Sequence, residues 1–296
     1  MKLLSALESP EQRELLAELY THPALAGLAV VIMCAVLSVL VVVKRLGFVG
    51  QGVSHSAFGG IGVAAMLAAF DIIPADGAVG GAAQLWVVVL FCVLAALGMA
   101  RLSAKDDVPV DTAIGLFLVG SMALGAILVQ VARGIRPAGA QSWESILFGS
   151  ILASGPADTV TAWLVALGVL ATLWLIRRPL LFWALDEDAA RAFGVPTPLV
   201  RTALLVLLSL AVVVAMKLAG VVLATALLVL PGAAALRLSR RLWPVVAWSI
   251  FLGVFGLLGG LLLSLELDWQ PGPSVVAIMT AVFAVTLAIG KLRPAA

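Results

Sequence analysis

The chain has 296 residues, of which 63% are hydrophobic and 11% charged, with a formal net charge of +2. Soluble domains carry about a quarter of their residues as Asp, Glu, Lys or Arg, so a mean hydropathy of +1.17 excludes an ordinary soluble globular protein, and the near-balanced charge gives no basis for nucleic-acid binding. Apolar stretches of about 20 residues, the length a helix needs to cross a bilayer core, recur along the whole chain, and the short alternating segments of a β-barrel are absent.

The first 23 residues mix Leu3, Leu4, Leu7, Leu15, Leu16 and Leu19 with Glu and Arg. This amphipathic pattern suits a helix lying on the membrane or packed against a bundle. It lacks the apolar core of a cleavable signal peptide, so the first apolar run is expected to serve as an uncleaved insertion signal. From residue 24 to 293 the chain reads as a single transmembrane domain. Its apolar runs lie near 24–43, 56–73, 82–100, 112–132, 158–176, 199–216, 218–236, 243–265 and 273–290. Lys217 alone separates the pair 199–216 and 218–236, so the expected fold is an all-α polytopic membrane protein with eight or nine transmembrane helices. Basic residues favour cytoplasmic loops. With the N-terminus outside and nine spans, most of the 18 Lys and Arg residues fall inside, among them Lys44, Arg45, Arg101, Arg177, Arg178, Arg237, Arg240 and Arg241. Lys2, Arg13, Arg133, Arg136 and Lys217 fall outside, so the C-terminus is expected in the cytoplasm.

The stretch from Leu46 to Phe70 carries Gln51, Ser54 and His55 directly into an apolar run. Polar groups entering hydrocarbon are costly, and in a helix Gln51 and His55 share a face. Nearby glycines at 50, 52, 59, 60 and 62 admit a close neighbouring backbone. The stretch reads as a membrane helix lining a passage. His55 is either a packing histidine satisfied by a carbonyl or a ligand for a cation that imidazole suits, such as Zn²⁺, Fe²⁺ or Mn²⁺. Asp111 begins its span from the inside and Asp158 begins another from the outside, while Glu266 and Asp268 lie in the last outer loop; all are also ordinary helix-end residues. His22 sits in a Tyr-Thr-His-Pro turn and reads as structural.

Two stretches outside the spans carry local signals. In 177–200, Asp186, Glu187 and Asp188 suit a helix N-terminus, Ala189, Ala190 and Phe193 make an apolar stripe, and Gly194 and Pro196 end the helix. In 133–157, SWESILFGSILA is a second short amphipathic candidate starting near Ser142 and stopped by Gly155-Pro156. The segment 214–235 holds Gly220, Thr225 and Pro231, and Pro231 late in a span implies a kink or break. Cys34 and Cys92 lie in apolar runs with no Cys-x-x-Cys spacing. There is no P-loop, His-Glu-x-x-His or Gly-x-Ser-x-Gly motif, so no catalytic residue is expected.

Six motifs, in order, make the chain resemble the permease subunits of bacterial zinc/manganese/iron ABC importers. They are GxxxxHSAFGG at 50–60 after the Lys44-Arg45 pair, DTAIGLF at 111–117, ILFGSILA at 146–153, DEDAARAFGVP at 186–196, VAMKLAGVVLATALLVLPGAAA at 214–235 and PGPSVV at 271–276. The resemblance covers Leu28 to Arg293. It implies a second permease copy, most simply an identical one, a cytosolic ATPase and an extracytoplasmic metal-binding protein, all served from the cytoplasmic (inner) membrane. It also implies that the helix of Asp186, Glu187, Ala190 and Gly194 couples to the ATPase, and that Gln51 and His55 face the metal; Asp111 joins them as a candidate only because a dication favours carboxylates. No permanently bound cofactor is implied, since the metal is cargo. Gln51 stands where the family carries Asp, and Ser150 where it often carries Asp after Leu-Phe-Gly. Both departures remove negative charge and tilt the expected cargo from manganese toward zinc. An ion-gradient-driven transporter, a metal-chelate permease and a non-transporting membrane scaffold are the alternative readings.

Overall fold

The structure is a computed structural model that describes residues 10–74, 77–103, 108–136 and 151–292. Among them no strand occurs. The helices are α1 (Pro10–Val43), α2 (Gly47–Ala69), α3 (Gly77–Ser103), α4 (Val110–Ile135), α5 (Pro156–Leu175), α6 (Arg177–Leu185), α7 (Glu187–Ala192), α8 (Thr197–Leu227), α9 (Leu230–Leu238), α10 (Leu242–Leu267) and α11 (Pro271–Leu292). A single 3₁₀ turn, Ile151–Ala153, precedes α5.

Among the described residues, eight helical stretches are long and apolar enough to cross a membrane. One of them, Thr197–Leu238, has 42 residues. A straight helix of that length would reach about 63 Å, twice the hydrocarbon thickness. It is not straight. Gly220 adopts φ 78°, ψ 168° inside α8, and the chain turns again at Leu228 and Val229, so that Pro231 stands in the first turn of α9. The apolar runs at 199–216 and 218–236 thus belong to one interrupted stretch.

Two other expectations change. The backbone is continuously helical from Pro10 through Pro23 to Val43. The loop after Arg177 contains two helices, α6 as well as α7. Pro156 opens α5, at the first helical position, where its missing N–H costs nothing. Ser142 and Ser150 lie outside the described residues.

The chain divides into two compact units. The first comprises residues 1–45, 144–175 and 214–296. In it α1 and α10 run antiparallel, with Gly27 against Leu257 and Gly253 against Val31. At their crossing the Ser38 and Ser249 hydroxyls both donate to the Ala35 carbonyl, each at 2.7 Å. Gly232 of α9 closes on the Ser38 backbone, where a Cβ would sit 2.6 Å from its carbonyl carbon. A hydroxyl buried in this apolar core must find a carbonyl, and here two share one.

The second unit comprises residues 46–143 and 176–213. Gly52 meets Ile114, Gly59 meets the Ser121 carbonyl and Gly62 meets Gly125. The nearly constant offset, 62 or 63 residues, makes α2 and α4 parallel. Gly60 packs on Val88 and Gly52 on Met99, so α3 runs antiparallel to both. The Ser209 hydroxyl of α8 reaches the Cys92 carbonyl at 3.5 Å, which joins the first half of α8 to α3. With little hydrophobic drive between helices in lipid, backbone contact at small residues supplies the packing energy.

Candidate functional site

α2 begins at Gly47, so the polar cluster lies within the helix. Gln51 is exposed and His55, one turn on, is half-buried. His55 lies about 12 Å along the axis from the helix start, between Gly52 and Gly59. Its ring stacks on Phe58, with centroids 6.0 Å apart. Its Nδ1 is buried and has no hydrogen-bond partner among the described residues. The neighbouring serines are spent on the helix itself: Ser54 Oγ donates to the Gln51 carbonyl at 2.9 Å and Ser56 Oγ to the Gly52 carbonyl at 2.8 Å. Such back-bonding satisfies a hydroxyl where water is scarce. It leaves His55 Nδ1 as the buried side-chain polar atom of this helix with no partner among the described residues.

The parallel register fixes where Asp111 stands. The offset of the glycine contacts puts Asp111 level with Val49, roughly 9 Å nearer the helix start than His55. Asp111 is exposed, and the structure does not bring it to His55. Among the described residues no three His, Cys, Asp or Glu side chains converge on a common point.

The segment after α6 folds as its residues dictate. Asp186 is the N-cap of α7, its Oδ1 accepting from the Ala189 N–H at 2.9 Å. At the other end Gly194 takes φ +80°, the Gly194 N–H donates to the Arg191 carbonyl and the Val195 N–H to the Ala190 carbonyl at 2.9 Å. This pair of bonds is a Schellman closure, which requires the left-handed residue that glycine supplies. Ala190 is fully buried, whereas Leu185 and Phe193 are 81% and 80% exposed. Glu187 is half-buried and lies 3.8 Å from Arg191 on the same helix. The capped helix is therefore flanked by two large exposed apolar side chains outside the candidate spans.

One ion pair was not foreseen from the residues. Lys217 Nζ lies 2.8 Å from Asp158 Oδ1, and Asp158 Oδ2 accepts from the Gly155 N–H at 3.3 Å. Asp158 thus caps α5 and holds the residue one turn before the Gly220 break. The available signal was that charge alternation assigns both residues to the same membrane face. Arg136, just past the end of α4, and Asp71, just past the end of α2, form a second pair at 2.9 Å.

A bundle of long apolar helices, with a polar membrane helix and a capped amphipathic helix outside the spans, defines a multi-pass membrane protein of the permease type. A profile of the ABC 3 transport family matches residues 17–290, and the chain belongs to that family. It is 32% identical over 272 residues to the manganese transport system membrane protein MntC of Halalkalibacterium halodurans, covering 92% of this chain and 87% of the relative. It is 27% identical over 263 residues to the high-affinity zinc uptake system membrane protein ZnuB of Haemophilus influenzae, covering 89% and 94% of the two chains. Among solved structures it resembles PsaBC from Streptococcus pneumoniae, determined with a Fab, at a TM-score of 0.76 and 25% identity over 90% of each chain.

Proposed function

We propose that this chain is the permease subunit of an ATP-driven importer of divalent transition-metal ions, with zinc as the favoured cargo. The observation that carries the passage is His55: a half-buried imidazole in a membrane helix whose Nδ1 has no partner among the described residues. Membrane-embedded polar groups face a pathway or a partner, and imidazole suits the transition metals named for the relatives. Gln51, where a carboxylate would favour a harder ion, supports zinc. Ser54 and Asp111 contribute through helix α2 and the mouth below it. The exposed Gln51 in a single copy also supports a second copy of the chain, with the passage between them.

The Thr197–Leu238 stretch, interrupted at Gly220, supports nine crossings, and the distribution of basic residues supports an outer N-terminus and a cytoplasmic C-terminus. In that topology α7, with Leu185 and Phe193 exposed beside it, is the element that docks on a separate ATPase. An extracytoplasmic metal-binding protein delivers the ion to the opposite face. Weak binding along the path is required, since a tight site would trap the ion.

The test is ATP-dependent uptake of zinc, manganese and iron into vesicles holding the permease, its ATPase and its binding protein. His55→Ala is expected to lower uptake of one metal about 10–100-fold, the scale seen when even an outer-shell ligand partner is lost, while the ATPase still co-purifies. Glu187→Lys is expected to weaken ATPase coupling with His55 intact. Wild-type uptake in His55→Ala would make His55 a packing residue; strongest uptake of manganese would overturn the preference for zinc.

A further inference from the structure

At one end of the second unit, the starts of α2, α4 and α8 meet the end of α3 around a small, partly open pocket. Val49, Ala96, Met99, Ile114 and Leu205 form its walls and all are buried. One lining group is charged. Arg201 is half-buried, and among the described residues its side chain has neither a hydrogen bond nor an ion pair.

A guanidinium does not escape its cost by losing a proton. Against apolar walls at a membrane it stays charged and needs an anion. Among the described residues no carboxylate supplies one here. Asp111, a turn before Ile114 on α4, is exposed and pairs with no arginine among the described residues. Arg101, two residues past Met99, is exposed and adds positive charge at the same end. Arg201 is the fifth residue of α8, so the pocket lies where spans begin, at the depth of lipid headgroups. A free anion would gain nothing from the five apolar walls. An amphiphile gains from both parts of the site, and basic pockets between membrane helices on the cytoplasmic side hold anionic headgroups.

We propose that this pocket binds an anionic phospholipid of the adjoining leaflet, the cytoplasmic one in the topology proposed above. Its phosphodiester accepts hydrogen bonds from Arg201, and the glycerol end of its acyl chains rests on Val49, Met99 and Ile114. The bound lipid ties the start of α8 to α3 and α4.

The experiment is native mass spectrometry of the full-length permease, with and without its ATPase, released from bilayers of equal parts phosphatidylglycerol and phosphatidylcholine. Wild type is expected to retain phosphatidylglycerol preferentially. Arg201→Gln should lower that retention about fivefold, the factor expected for one basic residue at an anionic surface, and Arg201→Lys should keep most of it. Ala96→Leu, which fills the pocket and leaves Arg201 in place, should also lower retention, and serves if Arg201→Gln does not fold. Unchanged retention in both, or an equal loss in Arg101→Gln, overturns the proposal. So does full displacement by inorganic phosphate, which marks a soluble-anion site, or loss of lipid whenever the ATPase is bound, which assigns Arg201 to a protein partner. None of these readouts depends on metal transport, so they stand or fall separately from the importer reading.

Discussion

Gly62→Ala tests the parallel packing of α2 on α4 directly. A Cβ at Gly62 would lie 2.8 Å from the Gly125 Cα, 2.9 Å from the Gly125 carbonyl oxygen and 3.0 Å from the Leu128 Cβ, against 3.4 Å or more for an ordinary contact. All three atoms belong to the α4 backbone or sit directly on it, so no rotamer change relieves the clash and the helices must separate by roughly half an ångström, at a cost of about 1–3 kcal/mol. Alanine also improves on glycine in a helix interior by up to about 1 kcal/mol, which would blur a single measurement. Gly120→Ala removes that ambiguity. It makes the same exchange in α4, where nothing lies within 4 Å of the added methyl. The difference between the two variants isolates the clash and should be about 1–3 kcal/mol, with Gly62→Ala the less stable. Gly59→Ala should fall between them, because its nearest neighbour, the Phe91 ring at 2.6 Å, can rotate. Reversible unfolding of the purified permease in mixed micelles measures the series. Equal stability of Gly62→Ala and Gly120→Ala would refute the close contact, and with it the register that separates Asp111 from His55.

Lys217→Met and Asp158→Asn, singly and together, should give a coupling energy of about 0.2–1 kcal/mol by double-mutant cycle in the same unfolding assay, because both side chains are partly exposed and an exposed pair is worth little. Asp186→Ala removes the N-cap of α7 and should cost about 1 kcal/mol locally; ATPase co-purification should fall while global unfolding is unchanged, and faster amide exchange confined to 187–192 would mark the site. Gly220→Ala forces a side chain into a backbone region that glycine alone occupies comfortably, at a cost of about 1–3 kcal/mol, and should lower both stability and transport; an unaffected variant would mean that α8 runs through position 220 without a break.

Much of this protein is readable without coordinates, because a bilayer imposes a one-dimensional rule. Backbone polar groups in lipid must be satisfied within their own helix, so each apolar run of sufficient length declares itself, and Gln51 and His55 stand out against it. Local chemistry is equally legible at α7, where Asp186 and Gly194 act through bonds to backbone only a few residues away. The helix α6 was less so, since RRPLLFWAL carries no cap signal and is set by burial of Leu180 and Trp183. The position of the break in 197–238 depended on which glycine the surroundings hold at positive φ, and Gly220 and Pro231 were both candidates by type.

The sequence alone therefore determined the class of fold, the number of apolar runs, the polar face of α2 and the ends of α7, all of which rest on periodicity and on contacts between near neighbours in the chain. Only the tertiary structure decided that α2 and α4 lie parallel through Gly52, Gly59 and Gly62, that Asp111 stands below His55, that Lys217 pairs with Asp158 and that Arg201 has no protein partner among the described residues. Those facts join residues 56 to 63 positions apart, or turn on what the described neighbouring helices do not supply to one charge. Such relations depend on how helices with similar apolar surfaces choose one another in lipid, where the choice is made by small differences in close packing that no single segment encodes.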